Sequence, residues 1–146
     1  ACKLYGVSVL MSESFYGKLS HAVQQGCRRV DVVCLKGSSI PMAIYTCDRS
    51  NALYVSQKAV AEYGADRVIE EFQQMFEDGM EAFVAGDWGA AKECFESALA
   101  ICPRDKPTEL ILKHMDTNEN QPEVGLATTP YLAPEGWPGY HILLSK

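Results

Sequence analysis

The chain has 146 residues, 47% of them apolar, and a formal net charge of −6 at pH 7. These are the proportions of one domain, or of a small domain with an appendage, that can bury a core. No apolar run is long enough to cross a bilayer, and the N-terminus lacks the charged, apolar and small-residue order of a secretory signal, so neither a membrane-spanning segment nor a secretory leader is expected.

Charge divides unevenly along the chain. Residues 1–60 hold seven Lys or Arg against three Asp or Glu, and residues 61–146 hold six against sixteen, giving +4 and −10. The acidic excess is expected to solvate exposed helix faces. A sharper alternative sets it against the basic N-terminal part, or sets that basic part against a phosphate or an acidic partner. Nucleic acid is not an expected partner, because Arg28 and Arg29 form only a short basic pair without interleaved aromatics. A start at Ala1 rather than Met points to an upstream piece that has been removed.

Residues 4–47 read as strand, helix, strand, turn and strand. Val7, Val9 and Met11 alternate with Ser8 and Leu10, and Ser12 precedes a helical segment with Phe15, Leu19, His21 and Val23. Val30, Val32, Val33 and Leu35 predict a second strand, residues 36–39 a Gly-containing turn, and residues 40–46 a third strand, so the last two strands form a hairpin. Pro41 removes one ladder donor and therefore belongs at a strand beginning or an edge. The expected fold class is α+β: residues 1–50 form a partial β-α-β-β unit with an incomplete sheet, and residues 51–66 a connector.

Residues 67–117 read as a helical module. Val68, Phe72, Met75, Phe76, Met80 and Phe83 recur at helical spacing, with Glu70, Glu71, Glu77 and Glu81 on other faces. Met75, Gly79, Ala82, Gly86, Trp88, Ala91, Phe95, Ala98 and Pro103 follow one another as in a single tetratricopeptide-type helical hairpin, which this stretch resembles. The spacing puts Gly79 where two helices cross closely, Ala91, Phe95 and Ala98 on one face of the second helix, and Pro103 at its end. Such repeats need about three stacked copies for stability, and only one is clear here, so the hairpin is expected to lean on the N-terminal unit. Phe95 is expected in its core. Trp88, beside the Gly86-Asp87 bend, is expected to be partly exposed and is the candidate protein contact.

Pro107 opens a third helix with Leu110, Ile111 and Met115, placed to cap the hairpin. Residues 118–146 form an irregular tail, punctuated by Asn118, Asn120, Pro122, Pro130, Pro134, Gly136, Pro138 and Gly139, from which residues 140–144 are able to return as a strand.

Cys2, Cys27, Cys34, Cys47, Cys94 and Cys102 include no CxxC pair, and His21, His114 and His141 are scattered, so no metal site is expected. Cys34, Cys94 and Cys102 fall at apolar positions, where a thiol behaves as a small hydrophobe. Free thiols suit a reducing interior, cytoplasmic or organellar, while the even count leaves a disulfide open. No spacing singles out a Cys-His nucleophile, and no phosphate-cradling glycine loop occurs. Asp31 with Asp48, or Glu77 with Asp78, are nominal acid/base pairs expected to be solvated instead.

The order of motifs resembles a known family. The run Leu4-Tyr5-Gly6-Val7-Ser8-Val9-Leu10-Met11-Ser12-Glu13, followed by Arg29-Val30-Asp31-Val32-Val33-Cys34-Leu35-Lys36-Gly37-Ser38-Ser39-Ile40-Pro41-Met42-Ala43-Ile44-Tyr45, is similar to the last part of a class III adenylyl or guanylyl cyclase domain. Ala85-Gly86-Asp87-Trp88 through Leu99, and then Trp137-Pro138-Gly139-Tyr140, resemble the C-terminal extension of some microbial-type members.

The resemblance implies that the two metal-binding aspartates and the Asn and Arg that orient the nucleotide would lie upstream of Ala1. A parent enzyme would use Mg or Mn with a nucleoside triphosphate. Of the family's site residues only Lys36, in a lysine-glycine turn, is retained as a vestigial phosphate contact, and Ser38 replaces the second lysine of that pattern. No catalytic residue, metal site or cofactor is expected on this chain by itself, and so no enzyme activity. The expected role is that of a noncatalytic C-terminal portion of a class III nucleotidyl cyclase, acting in regulation or docking, with an upstream cyclase domain or another protein as partner. The alternative is an accessory or structural subunit of a larger, organellar or cytoplasmic, complex derived from such a sequence.

Overall fold

The computed structural model describes residues 2–51, 53–116 and 131–143. The fold is mixed α+β and divides into two compact units. One comprises residues 1–53 with 139–146, the other residues 54–138.

The first unit contains α1 (Cys2–Tyr5), β1 (Met11–Ser12), α2 (Glu13–Tyr16), α3 (His21–Gln24), β2 (Cys27–Leu35), β3 (Met42–Cys47) and β4 (His141–Leu143), with a short 3-10 turn at Asp48–Ser50. The strands lie in the order β1-β3-β2-β4. Pairing is antiparallel from β1 to β3 and from β3 to β2, and parallel between β2 and β4. Val30, Val33, Ala43 and Ile44 of the sheet are buried with Tyr5, Val7 and Met11.

Several local expectations shift. The alternating run 7–11 is strand only at Met11–Ser12. Upstream, Leu4 and Tyr5 are helical, and the Val7 amide closes a turn onto the Cys2 carbonyl at 3.2 Å, with Gly6 at a positive φ of 62°. The single helix expected over Phe15 to Val23 is two four-residue helices. Ser12 caps the first through the Phe15 amide, and the Lys18 and Leu19 amides then bond three residues back, so tight turns replace a continuing α-ladder. Strand β2 starts at Cys27, ahead of Val30, and β3 starts at Met42, after Pro41. Pro41 has no amide hydrogen for the ladder, and β3 is an interior strand, so its strand-beginning reading applies here.

The β2–β3 hairpin forms around residues 36–39, with Gly37 at a φ of 88° and the Ser38 amide bonding the Leu35 carbonyl at 2.9 Å. The pairing contains one irregularity. Arg29 faces Tyr45 and Asp31 faces Ile44, leaving Val30 as an extra residue on β2. This bulge breaks the period-two alternation, so Val30 and Asp31 are both buried although adjacent.

The second unit contains α4 (Gln57–Tyr63), α5 (Val68–Ala85), α6 (Trp88–Ile101) and α7 (Lys106–Asp116). Helix α4 lies within the stretch read as connector. Helices α5 and α6 form the central hairpin, and its cover comes from within the unit: α4 packs on both helices and α7 on α6. Residues 118–130 of the expected tail lie outside the described residues, and the chain re-enters a strand at His141–Leu143.

The α5–α6 bend is built by glycine and capping. Gly86 is left-handed (φ 87°, ψ 4°), and the Gly86 and Asp87 amides bond back to the Phe83 and Ala82 carbonyls, satisfying the last acceptors of α5. Asp87 then caps α6 by accepting from the Ala90 amide at 3.1 Å.

Candidate functional site

Two polar clusters stand out in the first unit, and both depend on the β2 bulge. The first surrounds Asp31, the residue that follows the extra Val30. Its carboxylate accepts from the Tyr5 hydroxyl at 2.8 Å, from the Val32 amide at 2.8 Å, and from His141 Nδ1 at 3.0 Å to each oxygen. A carboxylate offers only acceptors, so the imidazole carries its hydrogen on Nδ1 here.

Burial first, and then the negative charge of Asp31 and the hydrogen bond to it, push the Tyr5 phenol far above its ordinary value of 10.0, so it stays a donor. His141 Nε2 is itself buried. Through these bonds the cluster is a clamp joining α1, the centre of β2 and strand β4.

The second cluster lies at the open end of the β2–β3 hairpin. Arg28 Nε sits 3.0 Å from Asp48 Oδ1 with both side chains almost fully buried, and Asn51 Nδ2 donates to the same oxygen at 3.3 Å. Asp31 and Asp48, expected to be solvated, are thus both buried and hydrogen-bonded, each to partners other than the other.

Beside this pair, Cys27 and Cys47 face one another across the two strands. The flanking bond runs from the Asp48 amide to the Gly26 carbonyl at 2.8 Å, which marks the two cysteines as a non-hydrogen-bonded pair, the kind whose side chains approach most closely. The Cys27 sulfur lies 3.3 Å from the Val23 carbonyl. Burial, with the adjacent Cys47 sulfur next in weight, pushes the Cys27 thiol up to about 11.

Lys36 is exposed in the hairpin turn. In the second unit Gly79 is fully enclosed against Phe95: a Cβ built on it would lie 2.8 Å from Phe95 Cε1. Ala91, Phe95 and Ala98 are all buried on the inner face of α6, and Pro103 follows the Cys102 cap.

Trp88 differs from expectation. It is only 4% exposed, so a partner could not reach its ring. It stacks on Phe83 with ring centroids 5.5 Å apart and meets Trp137 edge-on at 5.2 Å. The indole N–H groups of Trp88 and Trp137 both donate to the Phe83 carbonyl, at 3.2 and 2.9 Å. That carbonyl, in the last turn of α5, also accepts the Gly86 amide, so the two indoles add to a helix end already capped while closing the aromatic core.

The Asp31 clamp and the Cys27/Cys47 pair were invisible to spacing arguments, because their members come from distant parts of the chain. Compared with known proteins, the chain matches no family model, no curated protein and no solved structure.

Proposed function

We propose that the chain is a noncatalytic C-terminal portion of a class III nucleotidyl cyclase, with the first unit docking against the remainder of a cyclase-type sheet and the helical unit acting as a tetratricopeptide-like module for regulation or attachment. The observation that carries this reading is the distribution of exposed apolar side chains. Among the described residues, Leu4, Phe15, Val23, Leu35, Ile40 and Ile142 are large, apolar and exposed in the first unit, against Tyr54 and Leu132 in the second. Scattered single apolar residues are ordinary, but such a concentration on a small unit suits a surface that another chain segment covers.

Strand β1 supports the same reading, since among the described residues it pairs only with β3 and leaves its outer edge open. The motif resemblance supplies the identity of the covering segment. In such an assembly the resemblance gives Lys36, exposed in the β2–β3 turn, a phosphate contact, with the metal-binding aspartates contributed by the segment it docks on.

Complementation tests this directly. The chain alone, with a nucleoside triphosphate and Mg or Mn, should yield no cyclic nucleotide. Addition of a separately produced cyclase-domain fragment carrying both metal-binding aspartates should give a complex in size-exclusion chromatography and metal-dependent turnover, which Lys36→Ala reduces. Turnover by the chain alone, or no complex with the fragment, would overturn the proposal. A complex without turnover would move the assignment to an accessory subunit.

A further inference from the structure

We propose that Cys27 and Cys47 are a redox-active cross-strand dithiol, which a small-molecule disulfide converts to an intramolecular disulfide across the open end of the β2–β3 hairpin. The register carries the argument. The two residues are direct partners, and the Asp48-to-Gly26 bond makes theirs a non-hydrogen-bonded pair. Such pairs hold their Cα atoms about 4.5 Å apart, inside the window of about 4.4 to 6.8 Å that a disulfide spans without backbone movement.

The other sheet cysteine has no such partner. Cys34 stands opposite Ile142 and donates to the Ser38 carbonyl at 3.1 Å. Cys27 and Cys47 are both half-exposed, so a small disulfide can reach the pair, whereas Cys34 and Cys102 are buried.

The reaction balances as an exchange. One protein thiol loses its proton and attacks a reagent sulfur, breaking that S–S bond and expelling one thiolate to form a mixed disulfide. The second protein thiol loses its proton and attacks the protein-bound sulfur of this intermediate, forming the Cys27–Cys47 bond and expelling the second thiolate. The two released protons convert the expelled thiolates to thiols, so the protein gives up two electrons and the reagent takes them.

Poise follows from the surroundings. Burial and the neighbouring sulfur act against a Cys27 thiolate and outweigh the opposing pull of the Arg49 charge. A dithiol whose reduced form lacks thiolate stabilisation favours the disulfide at equilibrium, and the small thiolate fraction makes its formation slow at neutral pH.

Oxidation also has a structural consequence. The Cys27 thiol donates to the Val23 carbonyl in α3, and a disulfide sulfur has no hydrogen to donate. Forming the bond therefore locks the hairpin end and removes one of its ties to α3, leaving the Gly26 amide on the Val23 carbonyl at 3.0 Å as the other.

The test uses the full reduced chain with oxidised glutathione under native conditions, followed by non-reducing digestion and mass spectrometry. The expected product is a Cys27–Cys47 linkage with a mass loss of about 2 Da, persisting against an equal concentration of reduced glutathione. Amide hydrogen exchange at residues 21–26 should quicken on oxidation, while that of β2 and β3 at the linked end slows. Cys47→Ser should accumulate a glutathione adduct at Cys27. If that variant does not fold, mapping of the unsubstituted chain decides alone. A stable adduct at Cys27 or Cys47 without the linkage, a linkage to another cysteine instead, or cross-linking only in denaturant would overturn the proposal.

Discussion

Tyr5 shows how much a single hydroxyl does in this protein. It is one of three donors to the buried Asp31 carboxylate, and removing it leaves that oxygen short of a partner. Tyr5→Phe should cost about 2 kcal/mol in urea unfolding at neutral pH, the range for a hydrogen bond to a charged group. The pH dependence has a definite sign. The folded phenol is held far above 10.0, so above pH 10 the unfolded chain releases a proton that the folded chain retains. Stability contributed by this group is complete below pH 10 and is lost as pH rises. Tyr5→Phe should flatten the loss of stability between pH 9 and pH 11 relative to the parent; an unchanged profile would show that the clamp does not depend on this proton. None of this was legible from residue spacing, since Tyr5, Asp31 and His141 lie on α1, β2 and β4.

Among the elements, the α5–α6 hairpin is the one that local sequence describes best. Its apolar period, the Gly86 left-handed turn and the Asp87 cap are all features of adjacent residues, so propensity and packing agree. Gly79 provides a sharp check. An alanine would improve intrinsic helix propensity by about 1 kcal/mol, but its methyl would meet the Phe95 ring at 2.8 Å. That ring is itself held edge-on to Phe76 at 5.4 Å, so overpacking of about 1 to 3 kcal/mol should prevail and lower the melting temperature. Gly89→Ala is the matched control: its nearest neighbour would be Asp87 Oδ1 at 3.8 Å, and its stability should hold or rise slightly. Equal effects in calorimetry would show that the crossing is looser than these distances imply. The short N-terminal elements were read less well because α2, α3 and β1 are too brief to display a period.

At the level of the whole molecule, the two units have separate cores. Phe72, Phe76, Phe83 and Phe95 are fully enclosed in the second unit, and Trp137 returns to close the same aromatic core on Phe83. Residues 54–138 should therefore fold when expressed alone and show one sharp thermal transition. A broad transition with strong binding of a hydrophobic dye would show that the hairpin does require residues 1–53, as the single-repeat argument had implied. The first unit, in contrast, draws β4 from the far end of the chain, so its sheet closes only after residues 139–146 arrive. Non-local pairing of this kind carries a loop-closure cost and is expected to form late in folding.

The sequence by itself determined the α+β class, the β2–β3 hairpin around Gly37, the helical hairpin with Gly79 at its close crossing, and the uneven charge, because each is written in neighbouring residues or a short period. Tertiary structure alone decided the burial of Trp88, the parallel pairing of the terminal strand with β2, and both polar clusters. The bulge at Val30 is the clearest case. Near the turn Val33 pairs with Met42, Val32 with Ala43 and Asp31 with Ile44; carried on unchanged, that register would set Cys27 opposite Asp48. The extra residue shifts it by one and sets Cys27 opposite Cys47 instead. One inserted residue exchanges which side chains meet along the rest of a strand, and packing rather than local propensity chooses where it is inserted.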